Sequence, residues 1–161
     1  MPSHPTESVT FTVPGEPVPQ PRPRVYRVGK GTRTVSAPKG HPVIAYKHAA
    51  EVAAHTHGGL PFDGALRVGL TFVLPRPKSK VWKRKPMPRE PHTSRPDLDN
   101  YSKAILDGLW PLWGDDSQVC ELTARKVIAA GDEQPHTEVT VIPLSAPDQP
   151  LTPQAETTDA E

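Results

Sequence analysis

The sequence predicts an α+β domain: a small mixed or antiparallel sheet of four to five strands with two helices packed on it. Three observations lead there. Apolar residues alternate over Ser8–Val13 and Leu66–Leu74, the period of a half-buried strand. They recur at helical spacing over Val43–His55 and from Tyr101 to Leu109. Glycine and proline clusters punctuate the chain between these stretches.

Residues 1–8 read as a flexible tail ahead of a first strand in which Val9, Phe11 and Val13 share one side. The run PGEPVPQPRPRV, residues 14–25, holds too much proline for a helix or a central strand. It predicts an extended loop exposing Arg22 and Arg24, and Arg27, Lys30, Arg33 and Lys39 continue the basic run without an acid. Arg33–Ser36 reads as a short strand, with its turn at Gly29–Gly31. In the helix over Val43–His55, Ile44, His48, Val52 and His55 recur near helical spacing. His48 and His55 lie seven apart with no carboxylate arranged beside them, so they read as surface or packing residues rather than ligands. Gly58 and Gly59 stop this helix.

Leu66, Val68, Leu70, Phe72 and Leu74 face one way in the clearest strand, which belongs at the centre of the sheet. Residues 76–95 follow with eight Lys/Arg and one acid. A loop this long is more often functional than a plain connector. Trp82 lies among Lys78, Lys80, Lys83, Arg84 and Lys85, an interleaving that suits nucleic acid, the ring stacking on a base. His92 reads as solvated. Val119–Ile128 and Glu138–Leu144 supply the last strands, turning at Gly131–Glu133, and Trp110 and Trp113 read as packing a helix on the sheet. The domain is expected to end near residue 145. Residues 146–161 are polar and acidic and read as a disordered tail.

The net charge of +1 conceals an asymmetry: residues 1–96 carry 16 Lys/Arg against 5 Asp/Glu, whereas 97–145 carry 3 against 9. A basic half feeding an acidic cluster suits a polyanion held by one part and cut with metal by the other. The single cysteine, Cys120, excludes an internal disulfide and suits a cytoplasmic protein. No stretch approaches the roughly 20 apolar residues of a membrane helix.

The chemistry concentrates in RPDLDNYSKAILDGLWPLWGDDSQV, residues 95–119. Pro96 keeps Arg95 out of the helical region, so the motif is entered extended and Asp97 and Asp99 project to one side. A helix starts near Asp99 and Asn100, both good capping residues, and stacks Asp99, Lys103 and Asp107 along one polar face. Gly108 and Pro111 end it, and the chain returns through Asp115 and Asp116. Two carboxylates about 4 Å apart repel by roughly 4 kcal/mol at an effective dielectric near 20. Gathered carboxylates therefore call for a proton or a cation, and hard oxygen ligands suit Mg2+, with Mn2+ the alternative. Lys103 would then act at the phosphate.

RPDLDNYSKAILDGL followed by DDSQV resembles the signature of the RusA family of Holliday-junction resolvases, and PGEPVPQPRPRV resembles that family's entry. WPLWG, between Leu109 and Asp115, is short for the family. The resemblance implies a RusA-like endonuclease domain over 9–145 and a magnesium-dependent homodimer that resolves four-way junctions in DNA recombination and repair, as in bacteria and their phages. It implies that Asp97, Asp99 and Asp116 are metal-binding and catalytic, that Lys103 is catalytic and that Asp115 is a neighbouring metal ligand. Contacts to DNA are expected at Arg22, Arg24, Arg27, Arg95 and the 78–85 loop. The rival from another class is a junction-binding protein that never cuts. A phosphatase reading of the DLD motif fails because polar residues 91–96, not a buried strand, precede it.

Overall fold

The structure, a computed structural model, describes residues 4–35 and 37–144. The expected acidic tail, 146–161, lies outside them. Among the described residues seven strands and two helices form: β1 (Val9–Pro14), β2 (Arg24–Val28), β3 (Gly31–Val35), α1 (Pro42–Gly58), β4 (Leu66–Leu74), β5 (Glu90–Pro91), α2 (Leu98–Gly108), β6 (Val119–Ile128) and β7 (His136–Pro143). Five strands make one mixed sheet in the order β1-β7-β4-β6-β5, and β2 and β3 make a separate hairpin. Only β4 and β6 pair in parallel within the main sheet; its other neighbours are antiparallel.

The alternation in β4 decides the layering. Leu66, Val68, Leu70, Phe72 and Leu74 all join one core with residues of α1 and α2, so both helices cover the same face. Phe72 and Leu66 are among its fully buried side chains. Burial of such a side chain contributes about 1.5–3 kcal/mol. The opposite face carries Thr10, Thr71, Thr140, Arg125 and Glu138 around a shallow depression. That face is not solvated throughout, since Val73, Val127 and Ala129 form a second, small buried cluster; one face packed and the other largely solvated is ordinary for a largely antiparallel sheet.

The helices meet where α2 ends. A Cβ added to Gly108 would stand 2.6 Å from the Lys47 carbonyl oxygen and 2.7 Å from Ala50 Cβ. Gly108 is thus the close-approach point of two helices more than a helix terminator. It is followed by a 3-10 turn at Trp110–Leu112.

Several expectations change here. Ile44 and Val52 lie on the solvent side of α1, 49% and 50% exposed, whereas Val43, Tyr46, Ala50 and Ala54 turn inward. The small alanines, not the larger aliphatics, let α1 lie close to its neighbours. Trp113 is buried but Trp110 is 52% exposed, its ring edge-on to His55. The extended loop ends at Arg24, where β2 begins and pairs with β3 through a two-residue turn. Gly29 in that turn has φ 60°, a conformation two-residue hairpin turns require and glycine adopts without strain. His48 and His55 are surface residues, each 4.0 Å from Glu51.

Candidate active site

A cleft of about 700 Å³ runs along α2 and the first half of β6. Its walls carry Asp99, Lys103, Asp107 and Asp116, over an apolar lining that includes Leu98, Leu106, Trp113 and Val119. Residues from two stretches of the chain are therefore brought to one recess.

The start of α2 differs from the expectation. The helix begins at Leu98, and Asp97, at φ −73° and ψ 150°, is the N-cap. Asp97 and Asp99 are consequently not alternate residues of an extended strand but the cap and second residue of a helix. An N-cap aspartate ordinarily spends its carboxylate on the backbone N–H groups of the first turn. The Asp97 carboxylate makes no such bond and remains exposed. It is thereby left free to bind something else.

The return loop arranges the other acids differently from each other. Asp115 caps a 3-10 turn at Asp116–Gln118, its carboxylate accepting from the Ser117 N–H at 2.8 Å, while the Gln118 side chain accepts from the Asp115 N–H at 3.0 Å. The hydrogen bonds from Ser117 hold the Asp115 carboxyl below its ordinary pKa. Asp116 instead faces the cleft, where Trp113 Nε1 donates to its Oδ1 at 2.9 Å. That bond orients the carboxylate, and among the described residues no donor reaches Oδ2. Trp113 is a positioning residue that sequence reasoning assigned to packing alone; the only signal was its place three residues before Asp116.

Lys103 is exposed on the cleft wall. Asp107 does not pair with it: its Oδ2 accepts from Lys47 Nζ of α1 at 3.1 Å, a contact between helices that the motif could not reveal.

Lys126 of β6 was also not anticipated. Its ammonium donates to the carbonyl oxygens of Ser94 and Pro96, both at 2.6 Å. The short β5–β6 pairing covers only Glu90 and Pro91. Beyond it the His92 N–H still donates to the Lys126 carbonyl at 3.1 Å, and the Lys126 side chain then takes over, fixing the chain immediately before Asp97. His92 is half-buried rather than solvated, with an unpartnered Nδ1; burial and the adjacent Lys126 charge lower its pKa.

The expected DNA contacts fall in separate places. Arg22, Arg24 and Arg27 are exposed at and beyond the proline-rich loop, and Arg95 is exposed just before α2. Lys78, Lys83, Arg84 and Lys85 are exposed in the 76–95 loop, while Lys80 is half-buried 3.5 Å from Glu90. Trp82 is 38% exposed, with Arg76 5.4 Å and Lys85 5.9 Å from its ring centre. Its ring is thus already flanked by cations.

Exposed carboxylate oxygens are the donor set a hard divalent cation takes, and Asp99 and Asp116 offer them on one cleft. Among the described residues, no three His, Cys, Asp or Glu side chains are gathered closely enough to hold a metal ion. The chemistry of the donors fits magnesium, and a third carboxylate is not converged on them. No described helix is long and apolar enough to cross a membrane.

The model of the family described as endodeoxyribonuclease RusA matches residues 14–142. An uncharacterized protein of Bacillus subtilis (strain 168), YqaN, is 32% identical over 146 residues, covering 87% of this chain and 99% of the relative.

Proposed function

This chain belongs to the RusA family of endodeoxyribonucleases, and from that premise we propose that it resolves four-way DNA junctions by magnesium-dependent, paired nicking in recombination and repair. The observation that carries the reading is the shared cleft: Asp99 and Lys103 from α2 and Asp116 from the return loop line one recess, with Asp116 oriented by Trp113. Asp97, whose carboxylate is released from capping, and Asp99 and Asp116 would hold the cation, with Asp115 beside them. A divalent cation bound there would act as a Lewis acid on the scissile phosphate and promote attack by water. Lys103 places an ammonium where charge develops on the phosphate or leaving oxygen, a contribution made chiefly in the transition state. Trp113 keeps Asp116 aimed into the cleft, and Lys126 holds the segment that presents Asp97.

Resolution needs two nicks placed symmetrically across the branch point, and one chain carries one such motif. A two-fold homodimer supplies both sites and matches the symmetry of the junction. The protein would act in the cytoplasm, on the cell's or a phage's DNA.

The absence of three gathered carboxylates among the described residues favours a second reading, a protein that captures junctions and never cuts. Nick mapping on a cruciform plasmid, with light scattering for mass, separates the two. Paired nicks on opposing strands from a dimer support the resolvase. Single unpaired nicks in ordinary duplex from a monomer overturn it, and bound but uncut cruciform supports the second reading.

A further inference from the structure

We propose that the β2–β3 hairpin is an arm that enters the major groove of one duplex arm of the junction and leads it past α2. The inference rests on the reading of the cleft as a junction endonuclease and names the structural element that would grip its substrate.

The hairpin stands apart from the main sheet, and every residue of β2 is exposed, as are all but Val35 in β3. Val25 and Val28 are 65% and 62% exposed and Tyr26 is 48% exposed. A two-stranded ribbon with so little burial is marginal by itself in water, so a surface that covers it would stabilise it. The charge names that surface. Arg24, Arg27, Lys30 and Arg33 lie on the ribbon, and no Asp or Glu occurs between Glu16 and Glu51. A polyanion complements this ribbon; an acid-poor second copy of the same ribbon would repel it.

The register divides the ribbon into two sides. Arg24 pairs with Val35 and Tyr26 with Arg33, so these share one side; Val25 with Thr34 and Arg27 with Thr32 share the other. Arg24, Tyr26 and Val35 line a recess with Pro21, Pro38 and His41, so the first side looks back at the body. The outward side therefore presents Val25, Arg27, Thr32 and Thr34, with Lys30 in the turn. The major groove, about 12 Å wide, admits a two-stranded ribbon. Arginine, lysine and threonine hydrogen-bond phosphates and base edges there, and an aliphatic side chain contacts the thymine methyl.

The ribbon's root fixes where that duplex would go. The Gln20 N–H donates to the Asn100 carbonyl at 2.9 Å, mooring the incoming loop to the first turn of α2 next to Asp99. DNA held by the ribbon would leave it beside the carboxylates.

The test uses full-length protein with a four-way junction, calcium in place of magnesium, and two variants. One is Arg27→Ala/Lys30→Ala; the other replaces residues 25–34 with Gly-Ser-Gly, with thermal melting to verify folding. With one ribbon per subunit, the wild-type dimer should protect guanine N7 positions in two symmetry-related duplex arms from dimethyl sulfate. The double substitution should lose that protection, weaken binding at least about 10-fold near 0.1 M salt, and reduce the slope of log affinity against log salt by roughly 3–4, the expectation for four fewer phosphates neutralised by the two ribbons of a dimer. The replacement should do all three more strongly. An unchanged slope and methylation pattern in a folded variant overturns the proposal. So does conversion of a dimer to a monomer by either change, which would make the ribbon a contact between copies. N7 protection by a wild type that never cuts with magnesium would sink the nuclease reading while sustaining the arm.

Discussion

The two basic segments of this chain look alike in composition and are built differently. Both are rich in arginine and lysine and nearly free of acid. Residues 76–95 are nevertheless fastened to the domain. The Arg76 side chain, 5% exposed, donates to the carbonyls of Lys80, Pro88 and Ala129 and to Glu90. Arg89 binds Glu133 at 2.6 Å and Glu138 at 2.8 Å. The β2–β3 ribbon has no carboxylate in its own stretch of sequence and stands outside the core cluster. A basic segment therefore becomes scaffold or free surface according to whether distant elements supply acceptors. Arginine, with its planar fork of donors, is suited to the scaffold role. In the 76–95 loop Arg76 and Arg89 anchor it and leave Lys83, Arg84, Lys85 and Trp82 on its outside.

The scale for this contrast is set by the groups proposed to cut. Asp99→Asn or Asp116→Asn should lower junction cleavage by about 1,000-fold or more, a loss comparable to removing one preorganised electrostatic group from an active site. Junction binding should hold or tighten, since negative charge facing phosphate is removed. Single-turnover cleavage alongside mobility-shift binding checks this, and full magnesium-dependent activity in either variant would take that residue out of the site.

Arg89→Ala is next and sharpens the contrast directly. It leaves Glu133 and Glu138 facing each other without their shared cation, and should cost about 2 kcal/mol of stability, discounted from the 3–5 expected of a fully buried pair. Arg27→Ala on the ribbon should change stability by no more than about 0.5 kcal/mol. Urea denaturation of both variants decides it; equal losses would erase the distinction between anchored and free segments.

Acid should expose the same anchor. Hydrogen bonds from Arg89 depress the Glu138 pKa to about 2 from an ordinary 4.5. A depressed carboxyl stabilises the fold fully above its unfolded value and loses that contribution as pH falls towards its folded one. Stability should therefore drop between about pH 5 and 2, and Arg89→Ala should flatten that decline. A decline unaltered by the substitution would assign it to other carboxyl groups.

Lys126→Met is expected to have the smallest effect on turnover, about 10-fold, which corresponds to roughly 1.4 kcal/mol. It should also raise the magnesium concentration needed for half-maximal rate, because the segment before Asp97 is released. Lys126→Arg should restore part of both. A folded Lys126→Met protein with wild-type magnesium demand would reduce the lysine to a packing role.

Much of the framework was legible because local periodicity and tertiary burial agreed. The alternation of β4 foretold its central place, and Tyr101, Ala104, Ile105 and Leu109 foretold the buried side of α2. The hairpin was half hidden because β2 begins directly after the proline run, and β5 is too short, at two residues, to carry a period. The inner side of α1 was not legible because its closest contact sets Ala50 against Gly108, a packing that hydrophobicity does not signal. The motif pointed to the acids and Lys103, of which Asp99, Asp116 and Lys103 line the cleft. It did not show that Asp97 is the helix cap, that Trp113 aims Asp116, or that Lys47 takes Asp107, since each depends on how the helix and its neighbours meet. Lys126 was beyond reach for the same reason: its acceptors lie 30 and 32 residues earlier in the chain.

The central claim is that the acidic cleft cuts what the basic half holds. Its most direct measurement is incubation of purified protein with a labelled four-way junction and, separately, a linear duplex of the same sequence, with magnesium or with chelator. The junction should be cut into nicked duplexes with magnesium and bound but intact with chelator, and the linear duplex should stay whole in both. Junction that is bound yet never cut across a magnesium and manganese titration, or duplex cut as readily as junction, would contradict it.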